Sequence, residues 1–227
     1  FVHISGDGAW HANVARYIAE TGSIPLFEPL GRSVFWSPPL FHICAAVLYV
    51  IGSLWGSGLF MIKMLTPVMS GFFLLFTYKF LQSLTNAQRA FRATVFIAFI
   101  PGYLYFSTLV YLDIMFALWF VAALYMAHKE SWFLAGLFSA LATLTKYHGV
   151  IVILIIGIIL IARKKPIQSF VYYGVPATLG CLWFVRNWIV LGNPVWYFLN
   201  NIFHGYQGVP IASTPSVSNF FTIQPYS

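Results

Sequence analysis

Asp7 and Asp113 are the only two aspartates in the chain, and each interrupts sequence that is otherwise aromatic, apolar or glycine-rich. A carboxylate can take a proton or hold a divalent cation, so isolated acids in apolar surroundings mark candidate chemistry. Asp113 is the sharper case, being the sole charged residue between Arg92 and Lys129. A lone carboxylate in lipid costs about 2.5–3.5 kcal/mol even on lenient insertion scales, so something must compensate for keeping it there. Lys146 repeats the situation with the opposite sign: it is the one charge inside residues 131–162, with His148 two positions on. Arg186 and Asn187 interrupt a third apolar stretch, shortly before the turn-forming Gly192-Asn193-Pro194.

The surroundings of these residues define the class. A composition of 60% hydrophobic, 19% aromatic and 7% charged residues over 227 positions, with mean hydropathy +0.81, is too apolar for a soluble globule. The expected fold is all-α, a polytopic membrane protein. The first residue is Phe1 rather than Met, no cleavable signal pattern is present, and the chain stops in a polar stretch rich in Pro and Ser, so we read it as a piece of a longer protein. Cys44 and Cys181 lie in separate apolar segments without ligand-like spacing and are read as packing residues. The net charge of +7 does not indicate nucleic acid, because the basic residues sit where cytoplasmic loops should be rather than on one soluble face.

Threading follows from length and charge. As helix, residues 93–128 would extend roughly 54 Å, against a hydrocarbon core of about 30 Å, so the segment must fold back, with Asp113 near the turning point. Pro101 should kink the first arm. Residues 131–162 repeat the pattern about Lys146, between the basic groups Lys129 and Arg163-Lys164-Lys165. The positive-inside rule puts Lys79, Arg89, Arg92, Lys129 and Arg163 to Lys165 in the cytoplasm, seven of the twelve Lys/Arg, and leaves every acidic residue except Glu130 outside. The expected crossings are 59–82, 93–112, 114–128, 131–145, 149–162 and 167–190, about six, with Asp113, Lys146, His148 and Arg186 on the external side. Residues 1–58 then form an external loop and residues 191–227 a second one. Within the first, an amphipathic helix is expected over Ala9 to Glu20, entered through Gly6-Asp7-Gly8 and ended near Gly22. Residues 39–55 are apolar enough to span, but Pro38-Pro39, His42 and the charge count suit a helix lying in the interface.

Four stretches carry a family resemblance. GDGAWHANVARYIAETGSIPLFEPLGRSVFWSPPL resembles the first external loop of the GT-C membrane glycosyltransferases, and YLDIMFALWFVAALYM looks like their second external acidic motif. GLFSALATLTKYHG is similar to a short span ending in Thr-Lys, and FVRNWIVLGNPVWY to an Arg-Asn followed by Gly-Asn-Pro. The resemblance is nearest the branch of dolichyl-phosphate-mannose protein mannosyltransferases and bacterial aminoarabinose transferases. It departs where the aminoarabinose branch has Glu-Lys before its prolines, because this chain has Trp36-Ser37. Glu28 lies nearby but does not match, so that branch's metal site is not carried over.

The resemblance implies transfer of a sugar, a hexose such as mannose foremost, from a polyprenyl or dolichyl phosphate to a protein, lipid or glycan acceptor on the extracytoplasmic side, with inversion. It implies Asp7 as general base and Asp113 as the second acid, either of which could hold a divalent cation, Mg2+ or Mn2+. Lys146, His148 and Arg186 would bind the donor phosphate. His11, Asn187, Asn193, Trp196 and Tyr197 would contact substrate. A multi-pass protein in a prokaryotic cell membrane, rather than the endoplasmic reticulum, is the expected setting.

Plainer roles stand beside each of these. Asp7 and Asp113 both precede apolar helical runs and would serve as N-caps. His11, four residues after Asp7, would make an interfacial contact with it. Lys146, Arg186 and His148 would snorkel or sit at the interface, and Trp183, Trp188, Trp196 and Tyr197 would form an aromatic belt. Two rival functions remain at this level: a transporter or flippase for lipid-linked sugars, which discontinuous helices or an internal repeat would favour, and a non-catalytic binder of lipid-linked glycan.

Overall fold

A computed structural model describes residues 6–26, 35, 37–196 and 198–203. Among these every regular element is helical. Helix α1 (Asp7–Thr21) is bracketed by two glycines in the left-handed region, Gly6 at φ 56° and Gly22 at φ 67°, and the Gly22 N–H bonds to the Ile18 carbonyl. Its inner face buries His11, Ala12, Val14 and Ala15, while Arg16 and Glu20 pair on the exposed face. Helix α2 (Leu40–Ser53) starts directly after Pro38-Pro39 and has 14 residues, so it reaches about 21 Å and falls short of the hydrocarbon thickness.

Two continuous helical stretches are long and apolar enough to cross a membrane. The first is α3 (Gly58–Leu84). The second runs Pro166–Leu191 and consists of α9 (Pro166–Val175), a wide π-type stretch (Pro176–Gly180) and α10 (Cys181–Leu191). Pro176 opens that stretch, where its missing N–H and ring bulk are accommodated by a wider turn. A third candidate is the pair α4 (Ala87–Ala98) and α5 (Pro101–Thr108), bent by 67° where Pro101 begins α5. Asn86 caps α4 by accepting from the Arg89 N–H.

The remaining helices α6 (Asp113–His128), α7 (Trp132–Thr145) and α8 (Val150–Ala162) have 16, 14 and 13 residues. A single-turn helix (Tyr147–Gly149) joins the last two, and a short α11 (Asn200–Phe203) follows the Gly192 turn. Helices thus occupy each stretch expected to cross, but α6, α7 and α8 reach only about 20–24 Å. Glu130 and Lys164 both adopt left-handed backbone, at φ 55° and φ 50°. Each closes its helix with a bond back five residues, Ser131 to the Met126 carbonyl and Lys165 to the Leu160 carbonyl.

These helices pack so that the bundle has two distinct ends. At one, α1, α2, the start of α3 and the start of α6 share a core of Ala12, Ala15, Phe41, Ala45, Ile62, Leu65, Leu112 and Met115. At the other, the ends of α3 and α6 meet through Phe80 and His128, and Lys165 pairs with Glu130 at 2.8 Å. Between them, Ala123, Ala135, Val152, Ile156, Leu160 and Tyr172 join α6 to α9. Gly149 makes one tight approach possible: a Cβ there would lie 2.2 Å from the Thr143 nitrogen and 2.3 Å from the Ala142 carbonyl carbon. Gly149→Ala is therefore expected to lower stability by roughly 1–3 kcal/mol. Thermal unfolding in detergent reads this as a lower midpoint, and an unchanged midpoint would contradict the packing.

Candidate functional site

Asp113 is the first residue of α6, and its carboxylate accepts a hydrogen bond from Lys146 Nζ at 2.7 Å. The pair is partly exposed, the lysine by 33% and the aspartate by 39%, at the edge of the apolar bundle. Lys146 reaches it because α7 ends at Thr145 and the backbone turns extended at Lys146 before the one-turn helix. The compensation that an acid in apolar sequence requires is thus a lysine 33 residues away in sequence.

Asp7 begins α1 at the same end of the bundle and is exposed. It hydrogen-bonds Tyr111. Both carboxylates also act on His11, which feels Asp7, Asp113 and Lys146 together. The two aspartates therefore bear on one locus. Neither caps its helix by a side chain: the N-cap positions are Gly6 and Leu112, and the acids occupy the first helical turn, where a negative charge favours the helix dipole.

His11 does not turn toward Asp7. It is buried, and its Nδ1 lies 2.9 Å from His42 Nε2, so one imidazole donates and the other accepts. Trp10, Phe35, Phe41 and Tyr111 enclose the pair edge-on. Burial brings His11 down to about 4 and holds His42 well below the usual histidine range, so both are neutral at pH 7. His42 is a site neighbour that the sequence presents only as a polar interruption of an interfacial helix. Its signal is the isolated imidazole in LFHICAAV, but nothing in spacing links it to a histidine 31 residues earlier.

The second polar group centres on Tyr147, next in sequence to Lys146. Its hydroxyl donates to the Trp196 carbonyl at 2.8 Å and accepts from Trp183 Nε1 at 2.9 Å and Asn187 Nδ2 at 3.4 Å. Burial pushes the Tyr147 hydroxyl up to about 12, so it stays protonated as a donor. Asn187 is fully buried and accepts from Arg186 Nη1 at 2.9 Å. The Arg186 guanidinium lies 5.0 Å from the Trp183 ring, with Nη2 3.5 Å from the Pro25 carbonyl, and has no carboxylate partner among the described residues. Tyr147 is the residue sequence reasoning passes over. It joins Lys146, Arg186-Asn187 and the Gly192 turn into one framework.

Three expectations come out differently. Asn193 is buried and bonds its own loop, Nδ2 to the Phe198 carbonyl and Oδ1 from the Val195 N–H, which makes it a turn-former. Trp196 is 5% exposed and offers its ring to no open surface. His148 is exposed, and no hydrogen bond or ion pair ties it to the cluster among the described residues. Tyr197, Glu28 and Trp36 lie outside the described residues. For a divalent cation the donor set is poor: among the described residues no three His, Cys, Asp or Glu side chains converge, and Lys146 already occupies Asp113.

Comparison with family models, curated proteins and solved structures finds no match. The site is therefore read from its own geometry. That geometry gives a pH dependence with a definite sign. His11 binds its proton less readily folded, near 4, than unfolded, near 6.5, so its contribution is complete above pH 6.5 and is lost as pH falls through that window toward 4. From pH 7 to pH 5 the loss from His11 alone is roughly 2 kcal/mol, and His42 adds to it with the same sign. Unfolding midpoints at the two pH values check this, and a midpoint that stays level across the range contradicts the neutral buried pair.

Proposed function

We propose that this chain belongs to a membrane glycosyltransferase of GT-C type, moving a sugar from a polyprenyl phosphate to an acceptor outside the cytoplasm. One observation carries the reading: Asp7, Asp113, Lys146 and Arg186 gather at one end of a bundle whose other end holds Lys129 and Arg163 to Lys165. A polyprenyl-phosphate sugar is already activated, so the enzyme must supply a base and positive charge rather than a strong acid. In this reading the acceptor hydroxyl oxygen attacks the anomeric carbon in line. The bond from that carbon to the phosphate oxygen breaks with its electrons, and the hydroxyl proton passes to Asp7. Arg186, without a carboxylate partner among the described residues and held by Asn187 and Trp183, receives the phosphate charge. Lys146 shares it as it swings from Asp113, which holds the ammonium in place beforehand.

The threading that goes with this reading has about six crossings. The short α6, α7 and α8 cross with their polar ends at the headgroups, at the modest cost of local thinning. Because Lys146 already engages Asp113 Oδ1, this reading assigns phosphate neutralisation to Lys146 and Arg186, and a chelator should leave transfer unchanged.

The rival reading, a carrier that moves lipid-linked sugars, draws support from the break of 67° between α4 and α5. Pro101 accounts for that break locally, and the charged groups lie at the ends of the bundle rather than midway along it. The two readings separate on one variant of the intact protein. Asp7→Asn should reduce sugar transfer about 10²–10⁴-fold with unchanged membrane insertion. Transfer retained by that variant removes Asp7 as base. Movement of a lipid-linked sugar across vesicles by a protein that never transfers it would favour the carrier.

A further inference from the structure

The opposite end of the bundle holds a feature that sugar transfer does not use. Where α3, α6 and α8 converge on the start of α7, a cavity of about 190 Å3 opens between the helices. Phe80, Leu124, Trp132, Ile156 and Ile159 are among its apolar walls, and the exposed His128 and Arg163 also line it. Apolar walls of this kind give a water molecule no partners.

Beside it stand four cations and one carboxylate: Lys129, Arg163, Lys164, Lys165 and Glu130. Two of the cations are engaged. Lys165 bonds Glu130 at 2.8 Å and lies 5.7 Å from the Trp132 ring, and Lys129 leans over Tyr125 at 5.9 Å. Lys164 has no ion-pair partner among the described residues, and Arg163 acts on Glu130 only at longer range, outside salt-bridge distance. Lys164 also holds left-handed backbone at φ 50°, a conformation that costs a residue with a Cβ about 1–2 kcal/mol and that glycine adopts freely. A lysine is kept where the turn favours glycine, and it lies next to the arginine that lines the cavity.

We infer that this cavity binds an anionic phospholipid, with part of one acyl chain between α3, α6 and α8 and the phosphate against Arg163 and Lys164. Basic pockets between helices at this kind of membrane end select anionic headgroups, and each Lys or Arg contributes about a fivefold preference. A zwitterionic headgroup would bring its own cation to a mouth that already has a surplus of positive charge. A free phosphate would leave the apolar walls uncovered. The inference stands apart from the glycosyltransferase reading, since it uses no residue of the Asp7 and Asp113 site.

The test uses the intact protein in nanodiscs containing phosphatidylglycerol and phosphatidylcholine with matched chains, and counts retained lipid by native mass spectrometry. Phosphatidylglycerol should be retained several-fold over phosphatidylcholine. Arg163→Ala and Lys164→Gly should each reduce that preference about fivefold. Lys164→Gly is the decisive variant, because relief of the left-handed backbone should keep or raise the thermal midpoint while the selectivity falls. Ile159→Trp, which fills the cavity, should lower retention of both lipids. Equal retention of the two lipids, a preference unchanged in Lys164→Gly, retention unchanged in Ile159→Trp, or release of the lipid by excess inorganic phosphate would each overturn the proposal.

Discussion

An acid cannot stand alone in apolar surroundings, and the bond between Asp113 and Lys146 is how this chain meets that constraint. As a partly exposed ion pair it contributes little stability, on the order of 1 kcal/mol or less. Its larger effect is geometric. It ties the beginning of α6 to the end of α7, two helices packed against each other, so the hairpin between them cannot slide without separating the charges. Because Tyr147 follows Lys146 directly, the same tie fixes the tyrosine that holds Trp183, Asn187 and the Trp196 carbonyl. Two polar groups from distant stretches of sequence thus share one anchor.

Much of this frame is visible in the sequence wherever one residue type has a strong local effect. Gly6 and Gly22 bracket α1 because only glycine enters the left-handed region without cost, and Pro101 separates α4 from the α5 it begins. The turn at Asp113 is legible because helix length and bilayer thickness disagree. The lengths of α6 to α8 are less legible, since Glu130 and Lys164 end their helices with a conformation that sequence assigns to glycine. Contacts between distant residues are the least legible. The His11–His42 pair and the Tyr147 hub depend on which faces of separate helices meet, and no periodicity in a single helix records that. Asn193 and Trp196 show the same limit: their residue types suit a sugar site, but burial turns them to the interior.

The two ends also differ in how their polar groups are satisfied. At the Asp7 and Asp113 end, buried imidazoles, indoles and hydroxyls interlock beneath the charges of Asp7, Asp113, Lys146 and Arg186, and burial keeps His11, His42 and Tyr147 in their neutral forms. At the Glu130 and Arg163 end, full charges stand at the surface beside an apolar cavity. Neutral networks hold a fixed geometry with little dependence on salt, whereas exposed charges attract counterions and headgroups.

The π-type stretch of the second long helix bears on this division. Tyr172, Pro176, Gly180, Trp183, Asn187 and Leu191 are the buried positions along it, spaced mainly four apart. In a uniform α-helix a spacing of four advances about 40° per step, so such a row would wind off the contact face. The wider turn at Pro176–Gly180 takes up that drift and leaves one straight buried seam. Removal of a single residue from the stretch would restore ordinary winding and rotate everything after it by about 100°. Asn187 would then leave the bundle and Arg186 would change its facing, though no side chain in either polar group had been altered. The helix acts as a phase-setting element: length in that one turn, more than the identity of the residues in it, determines which way the guanidinium points.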